Sequence, residues 1–329
     1  MKYRRTRRHI KRLVALCGLV AVCPLQAETV RLLFAGDIML DEGPGQTIAQ
    51  GGDPLAAFDD VLRQADYVIG NLECPVATRG EPLANKIYTF RAHPRALSTL
   101  AGRFDAVSVA NNHSGDYGQS AFVETLEHLA RRGIQAFGGG RNLSEAHQPL
   151  FVERQGMRIA LLAYNEFKPR SFEAGADWPG IAWSEDSQVV ADIRAARAAG
   201  ADIVIPFMHW GWERETQAND RQRQLARRMI DAGADVVVGT HPHVTQGVEY
   251  YRGKLIVYSL GNFVFDGFET PETTTGWLLS LTVDRQGVIS WRTLAAKMDA
   301  QGSPQRLRAS LTPCGRAGDS RIEQCSNDQ

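Results

Sequence analysis

The chain has 329 residues, of which 43 % are hydrophobic and 22 % charged, ordinary values for a globular protein that buries a sizeable core. Lysine plus arginine and aspartate plus glutamate both number 37, so the chain as a whole is formally neutral. Seven of the basic residues fall in the first 27 positions, with no acid among them; the 30 basic and 37 acidic residues that remain exclude nucleic acid as the main partner, because phosphate binding needs a basic surface.

Residues 1–27 read as an export signal. A basic start precedes an apolar run at 13–25, about as long as a signal core and short for a bilayer span. Cleavage after Ala27 would begin the mature chain at Glu28, in the periplasm or otherwise outside the cytoplasm. The stretch Thr6-Arg7-Arg8-His9-Ile10-Lys11 is consistent with a twin-arginine signal, with an ordinary basic signal start as the alternative. An uncleaved membrane anchor is the other reading of the whole segment. Of the five cysteines, Cys17 and Cys23 would leave with the signal. Cys314 and Cys325 can pair in an oxidising compartment, and Cys74 reads as a buried thiol.

Beyond the signal, short apolar runs end in polar residues. Residues 30–34 lead into Ala35-Gly36-Asp37, 67–69 into Gly70-Asn71-Leu72-Glu73, and 106–109 into Ala110-Asn111-Asn112-His113. A helix is predicted over 119–132, stopped by Gly133. Residues 151–153 and 158–163 flank a turn and predict a hairpin. Helix 189–199, strand 203–207 ahead of Met208-His209, helix 221–232 and strand 236–238 ahead of Gly239-Thr240-His241 follow. Two further hairpins are predicted, from 248–251 with 255–260 and from 277–283 with 288–294. This rhythm predicts an α/β fold with parallel and antiparallel strands mixed. Residues 28–300 form one domain in this reading, and the polar segment 301–329, with its Gly and Pro, is expected to be a loosely ordered tail.

In α/β folds ligands gather at the carboxyl ends of strands. Five predicted strands here end in Asp37, Glu73, Asn112-His113, His209 and His241-Pro242-His243. Carboxylates, an amide and neutral imidazoles together suit Mn²⁺, Fe or Zn²⁺, whereas Ca²⁺ or Mg²⁺ would not call for three histidines. Pro242 limits the freedom of the loop that carries His241 and His243. Asp116, three residues after His113, can orient that imidazole or cap a turn beside Gly115 and Gly118. Trp210 and Trp212 offer a stacking surface or core packing. Gly138-Gly139-Gly140 lacks the Lys-Ser/Thr of a phosphate loop and reads as a turn.

The blocks Phe34-Ala35-Gly36-Asp37-Ile38-Met39-Leu40, Gly70-Asn71-Leu72-Glu73, Ala110-Asn111-Asn112-His113-Ser114-Gly115-Asp116-Tyr117-Gly118, His209-Trp210-Gly211-Trp212-Glu213, Gly239-Thr240-His241-Pro242-His243 and Tyr258-Ser259-Leu260-Gly261-Asn262-Phe263 resemble the CapA/PgsA capsule-synthesis family. That family is associated with poly-γ-glutamate capsule synthesis and export and is related to calcineurin-like metallophosphoesterases. The resemblance covers residues 30–266 in the family's order. It implies a four-layer sandwich of two mixed β-sheets flanked by helices, with one or two divalent ions (Mn, Fe or Zn). It further implies Asp37, Glu73, Asn112, His209, His241 and His243 as metal ligands, and His113 as the group that steadies or protonates a reacting phosphate.

The sequence departs from the phosphoesterase pattern at two blocks. Met39 stands where an Asp-x-His block has its histidine, and Asn71-Leu72-Glu73 replaces Gly-Asp-x-x-Asp. One implied position then keeps Glu73, Asn112, His209 and His241, and the other has Asp37, Glu73 and His243, with Asp41 as a potential helper. The functional expectation is an exported protein of capsule or poly-γ-glutamate biosynthesis with a metal-dependent hydrolase-type site. The alternative is a non-catalytic assembly component that binds polymer through the same site. The partners implied are an anionic envelope polymer or its precursor and membrane capsule-synthesis proteins.

Overall fold

In the computed structural model, which describes residues 1, 28–168, 170, 172–319 and 321–327, the apolar runs become the central strands of two packed sheets. The predicted signal, twin-arginine stretch included, lies outside the described residues. Among those residues no helix is long and apolar enough to cross a membrane.

The chain begins with β1 (Val30–Ile38), α1 (Glu42–Ala49), α2 (Asp59–Arg63), β2 (Tyr67–Leu72), α3 (Leu97–Leu100), β3 (Ala106–Ser108), α4 (Gly118–Arg131), β4 (Gln135–Phe137), β5 (Gly139–Gly140) and α5 (Leu143–Ala146). There follow β6 (Leu150–Arg154), β7 (Met157–Asn165), β8 (Gly180–Ile181), α6 (Asp186–Ala198), β9 (Ile203–His209), α7 (Asp220–Ala232), β10 (Val236–Thr240), β11 (Thr245–Tyr251) and β12 (Lys254–Leu260). The last strands are β13 (Asn262–Val264), β14 (Thr275–Asp284), β15 (Gly287–Met298), β16 (Pro304–Arg306), β17 (Leu311–Arg316) and β18 (Glu323–Ser326).

The larger sheet has ten strands in the order β18-β17-β15-β14-β1-β2-β3-β4, with β13 beside β1 and β16 beside β15. The smaller has six, β11-β12-β10-β9-β7-β6. Parallel pairing around β1, β2 and β3 and around β7, β9, β10 and β12 gives way to antiparallel hairpins at the sheet margins. Alternation along each strand divides the apolar residues between layers. Val30, Leu32 and Phe34 of β1 meet Ile205, Phe207 and Val238 between the sheets, with Phe34 edge-on to Phe207 at 5.7 Å. Leu33 and Ala35 face the first helical layer, where Phe58, Leu62, Leu97, Phe122 and Leu129 pack. Val204 and Val237 face α6 and α7 through Val189, Ile193, Leu225 and Met229. The result is four layers, helix–sheet–sheet–helix, with the parallel strands at the centre of each sheet buried on both faces and the antiparallel margin of the larger sheet, β14, β15 and β17, polar on its outer face.

Local signals set the helix ends. Asn219 caps α7 by accepting from Gln222 N at 2.9 Å, and Gln222 Oε1 accepts from Asn219 N at 3.0 Å. Gly233, at φ +119°, ends the same helix in a left-handed turn. The expected loose tail is corrected: β16 to β18 pair onto β15 and extend the larger sheet, and a disulfide joins Cys314 to Cys325. Cys74 is free and buried.

Candidate metal centre

The parallel strands of both sheets end at one place. Asp37 lies near the end of β1, Glu73 just beyond β2, Asn111 to His113 beyond β3, His209 at the end of β9, and His241 and His243 beyond β10. Two close backbone approaches hold these ends together. A Cβ on Gly36 would overlap the carbonyl of Gly261, and one on Gly239 would overlap the carbonyl of Tyr258. Glycine at these positions lets Asp37 and the His241 loop reach the cleft between the sheets. The loop itself is strained, since His241 has φ +99° and His243 φ +56°. Such backbone costs about 1–3 kcal/mol per residue and clusters at functional sites.

Asp37, Glu73 and His241 are fully buried, and His209 and His243 nearly so. Asp37 Oδ1 accepts from Asn71 Nδ2 at 2.8 Å, and Oδ2 from the His241 backbone N–H at 3.2 Å. Asn111 Nδ2 donates to Asn71 Oδ1 at 3.0 Å and so fixes which end of the Asn71 amide faces Asp37. His209 Nε2 is 2.7 Å from Asn112 Oδ1, 3.0 Å from His241 Nδ1 and 3.6 Å from Glu73 Oε1. His243 Nε2 is 3.8 Å from Glu73 Oε1, and its Nδ1 is 2.9 Å from Asn262 Oδ1. Because Asn262 Nδ2 donates to the carbonyls of His243 and Thr273, its Oδ1 is the end that accepts from His243 Nδ1–H, which leaves Nε2 turned toward Glu73 with a lone pair.

Ligand atoms of Glu73, His209 and His241 lie within 4.8 Å of one another, as do those of Asp37, Glu73 and His243. Glu73 is common to both groups. Both of its carboxylate oxygens, and His241 Nε2, are buried with no hydrogen-bond partner. Protonated, Glu73 can share its proton with Asp37; ionised, it leaves both oxygens unmet at a cost of about 1–3 kcal/mol each and more for the charge, which a cation would relieve, and His241 Nε2 is unmet in either case. Burial pushes the Glu73 carboxyl well above its ordinary range, and the Asp37 carboxylate beside it adds to the rise. Burial also raises Asp37, against the pull of His243. Burial, reinforced by neighbouring imidazoles, holds His209 and His241 well below the usual histidine range. Neutral imidazoles are the ligand-competent form, and a cation between two crowded carboxylates would relieve their repulsion. The donor set therefore fits a divalent ion.

His113 stands at the edge of this cluster. Its Nδ1 is 2.7 Å from Asp116 Oδ2, and Phe90 lies against the ring at 4.6 Å. Burial lowers its pKa, against the hydrogen bond it donates to Asp116. Lys86 joins the pair by donating to Asp116 Oδ1 and, at 2.7 Å, to the Asn112 carbonyl. Sequence reasoning missed Lys86, a single lysine in an irregular stretch where no periodicity marks it. Asn71 and Asn262 were read as parts of blocks, without the orienting contacts they make.

Other expectations divide. Asp41 belongs to neither donor group, and its Oδ2 accepts from Arg91 N at 2.7 Å. Met39 packs in the core under the helices, its Sδ accepting from Asp41 N at 3.1 Å. Trp210 is core, donating to the Tyr258 carbonyl at 2.9 Å, while Trp212 is exposed and edge-on to Phe167, whose ring covers His241 at 4.1 Å.

Residues 31–267 match the family described as bacterial capsule synthesis protein PGA_cap. The chain is 37 % identical over 238 residues to the PGA biosynthesis protein CapA of Bacillus subtilis, covering 71 % of this chain and 62 % of that one. It is 30 % identical over 262 residues to the capsule biosynthesis protein CapA of Bacillus anthracis, covering 75 % and 63 %. The chain thus spans less than two thirds of the length of these relatives. Among solved structures it is similar to a 5'-nucleotidase precursor from Thermus thermophilus, with TM-score 0.53, 14 % identity and coverage of 84 % and 56 %. It is also similar to a hypothetical protein from the same organism, with TM-score 0.52, 16 % identity and coverage of 81 % and 99 %. At such identities the structural likeness shows the fold alone.

Proposed function

The chain belongs to the PGA_cap family of bacterial capsule synthesis proteins, and from that premise we propose that it is an exported protein acting on an anionic envelope polymer, of the poly-γ-glutamate class, or its precursor. It does so through a buried divalent-metal centre with hydrolase-type chemistry. The observation that carries this reading is Glu73, fully buried between two groups of donors with neither oxygen satisfied. Glu73, Asn112, His209 and His241 would hold one ion, and Asp37, Glu73 and His243 a second, with Mn, Fe or Zn as the metals this donor set suits. A bound divalent ion supplies Lewis-acid stabilisation of negative charge on a substrate oxygen.

The chain's own groups would do the rest. Asp116 accepts from His113 Nδ1–H, which fixes the tautomer and leaves Nε2 to give or take a proton at the substrate's leaving oxygen. Lys86 keeps Asp116 in place and puts positive charge beside His113, which would favour an anionic substrate there. Phe167 over His241 and Phe268 over His243 exclude water from the two imidazoles.

Metal content by elemental analysis, paired with turnover of a phosphodiester, tests the proposal. His241→Ala should lose most bound metal. His113→Ala should keep it and lose about 10²–10⁴-fold in rate, the usual contribution of a general acid or base. Metal retained in His241→Ala and in Glu73→Ala would sink the centre. Metal without turnover of any ester would favour the non-catalytic, polymer-binding alternative.

A further inference from the structure

At the other end of β1 the larger sheet turns a polar face to solvent. Along β14, Leu279, Leu281 and Val283 point inward, while Ser280 and Thr282 are half-buried on the outer face. Pairing sets Arg31 opposite Thr282, Thr282 opposite Ser290, and Ser290 opposite Arg316, one row across β1, β14, β15 and β17. Arg292 stands in the adjacent row, opposite Ser280 and Cys314. With Arg306 and Arg308, these residues line a cleft of about 740 Å³ walled on one side by Phe58, Val61, Gln64 and Ala65, in and around α2.

Five arginines line this cleft and Glu323 is the one carboxylate among its lining residues. Some guanidinium groups are partly committed. Arg306 binds Asp60 and the Ala57 carbonyl, Arg292 donates to the Ser326 carbonyl at 3.1 Å, and Arg31 reaches the Gln64 carbonyl at 3.5 Å. Arg31, Arg308 and Arg316 are exposed. From Glu28 onward acids outnumber bases by 37 to 30, so this concentration of cations runs against the charge of the rest of the molecule. Arginine forks match planar carboxylates, and the Ser and Thr hydroxyls between them add neutral donors. The row from Arg31 to Arg316 crosses three strand spacings, about 14 Å at ~4.8 Å each, too far for one carboxylate to bridge. Arg31 lies six residues before Asp37 along β1, about 20 Å at ~3.3 Å per residue, which separates the cleft from the metal centre.

We propose that this arginine-lined cleft on the outer face of β1, β14, β15 and β17 binds a polycarboxylate chain, of the γ-linked glutamate class, independently of the metal centre. The choice of polymer rests on the functional reading above; the anion site rests on the cleft. A labelled oligo-γ-glutamate titrated against the full chain in the presence of chelator, and followed by fluorescence anisotropy, tests it. Binding should weaken with salt, and weaken about tenfold or more in Arg31→Ala/Arg308→Ala/Arg316→Ala. Both proteins carry the same basic N-terminal stretch, so its contribution cancels. Should the triple variant fail to fold, the single reversal Arg308→Glu gives the same comparison. Unchanged affinity in the variants overturns the cleft. Binding that returns only with added metal assigns the polymer to the metal centre, overturning the cleft and sparing the functional reading. Binding of polyphosphate in place of oligoglutamate, lost in the triple variant, overturns the carboxylate assignment and the polymer reading together. Binding of neither anion overturns the cleft and leaves the metal centre to its own test.

Discussion

Glu73→Gln separates a metal centre from a buried ionic network. Glu73 is fully buried, both oxygens lack a hydrogen-bond partner, and burial and Asp37 raise its pKa well above the ordinary value. In the metal-free protein the fold therefore favours the protonated acid. For a group with a raised folded pKa, the associated stability is complete below the unfolded value of about 4.3. It is lost as pH rises toward the folded value, at no more than ~1.4 kcal/mol per pH unit. Glutamine cannot ionise and escapes that loss, so the metal-free variant should be at least as stable as the metal-free parent at neutral pH. A bound cation reverses the order. At an ion concentration of about 100 times Kd the parent gains ~2.7 kcal/mol, or about 5 °C at ~2 °C per kcal/mol for a chain of this size. The variant, without the carboxylate shared by both donor groups, should gain little. Scanning calorimetry of both proteins, with chelator and with Mn²⁺ or Zn²⁺, reads all four states. An equal metal-induced gain in parent and variant would refute the reasoning, and so would a metal-free variant several kcal/mol less stable than its parent.

Three further outcomes follow from named contacts. His209 and His241 have depressed pKa values through burial, so their contribution is present above the unfolded histidine value of about 6.5 and is lost as pH falls below it; a metal-free melting temperature that does not fall on that acid side contradicts this. Glu124 is held down to about 2: burial alone would raise it, but contacts from His128, Thr78 and Arg79 outweigh that effect, so its stabilisation is present above the ordinary glutamate pKa and lost as pH falls toward the folded value. Glu124→Ala should cost about 2–3 kcal/mol in urea denaturation for the hydrogen bonds removed, and no change would show that residues 78 and 79 hold themselves. Closing the loop between Cys314 and Cys325, separated by 11 residues, contributes about 3 kcal/mol on the chain-entropy scale, so Cys314→Ser/Cys325→Ser should loosen β17 and β18, read as faster amide exchange there.

The sheet strands were legible because parallel strands buried on both faces are written as unbroken apolar runs. The helix predicted at 119–132 is α4, Gly118–Arg131, stopped by the Gly133 that signalled it, and the one at 221–232 is α7, Asp220–Ala232, ended by Gly233. The gathering of the candidate residues was legible for a related reason, since Asp37, Glu73, Asn112, His209 and His241 each stand where an apolar run stops. What could not be read had no local signal. β17 and β18 are polar, and their order comes from pairing with β15 and from the disulfide. Lys86 reaches Asp116 across 30 positions of sequence from an irregular segment. The arginine cleft draws Arg31 and Arg316 from opposite ends of the described chain, and only the sheet order makes them neighbours.

The departure at Met39 leaves an asymmetric centre, and Asp41 does not make up the difference. Met39 falls after the last residue of β1 and packs under the helices, while Asp41 is spent holding the backbone of Arg91. Met39 is a poor ligand for hard metals, and Asp41 is in neither donor group. The Asp37 side keeps Asp37, Glu73 and His243, with Asn262 fixing the His243 tautomer. The other side has Glu73, His209 and His241, with Asn112 already 2.7 Å from His209 Nε2. With one more donor and two imidazoles, the second group should bind its ion more tightly. Stepwise loading of metal-stripped protein should therefore fill one position first, and His241→Ala should abolish that first event while His243→Ala spares it. Loss of the tight event in His243→Ala, with His241→Ala unaffected, would reverse the order of the two positions.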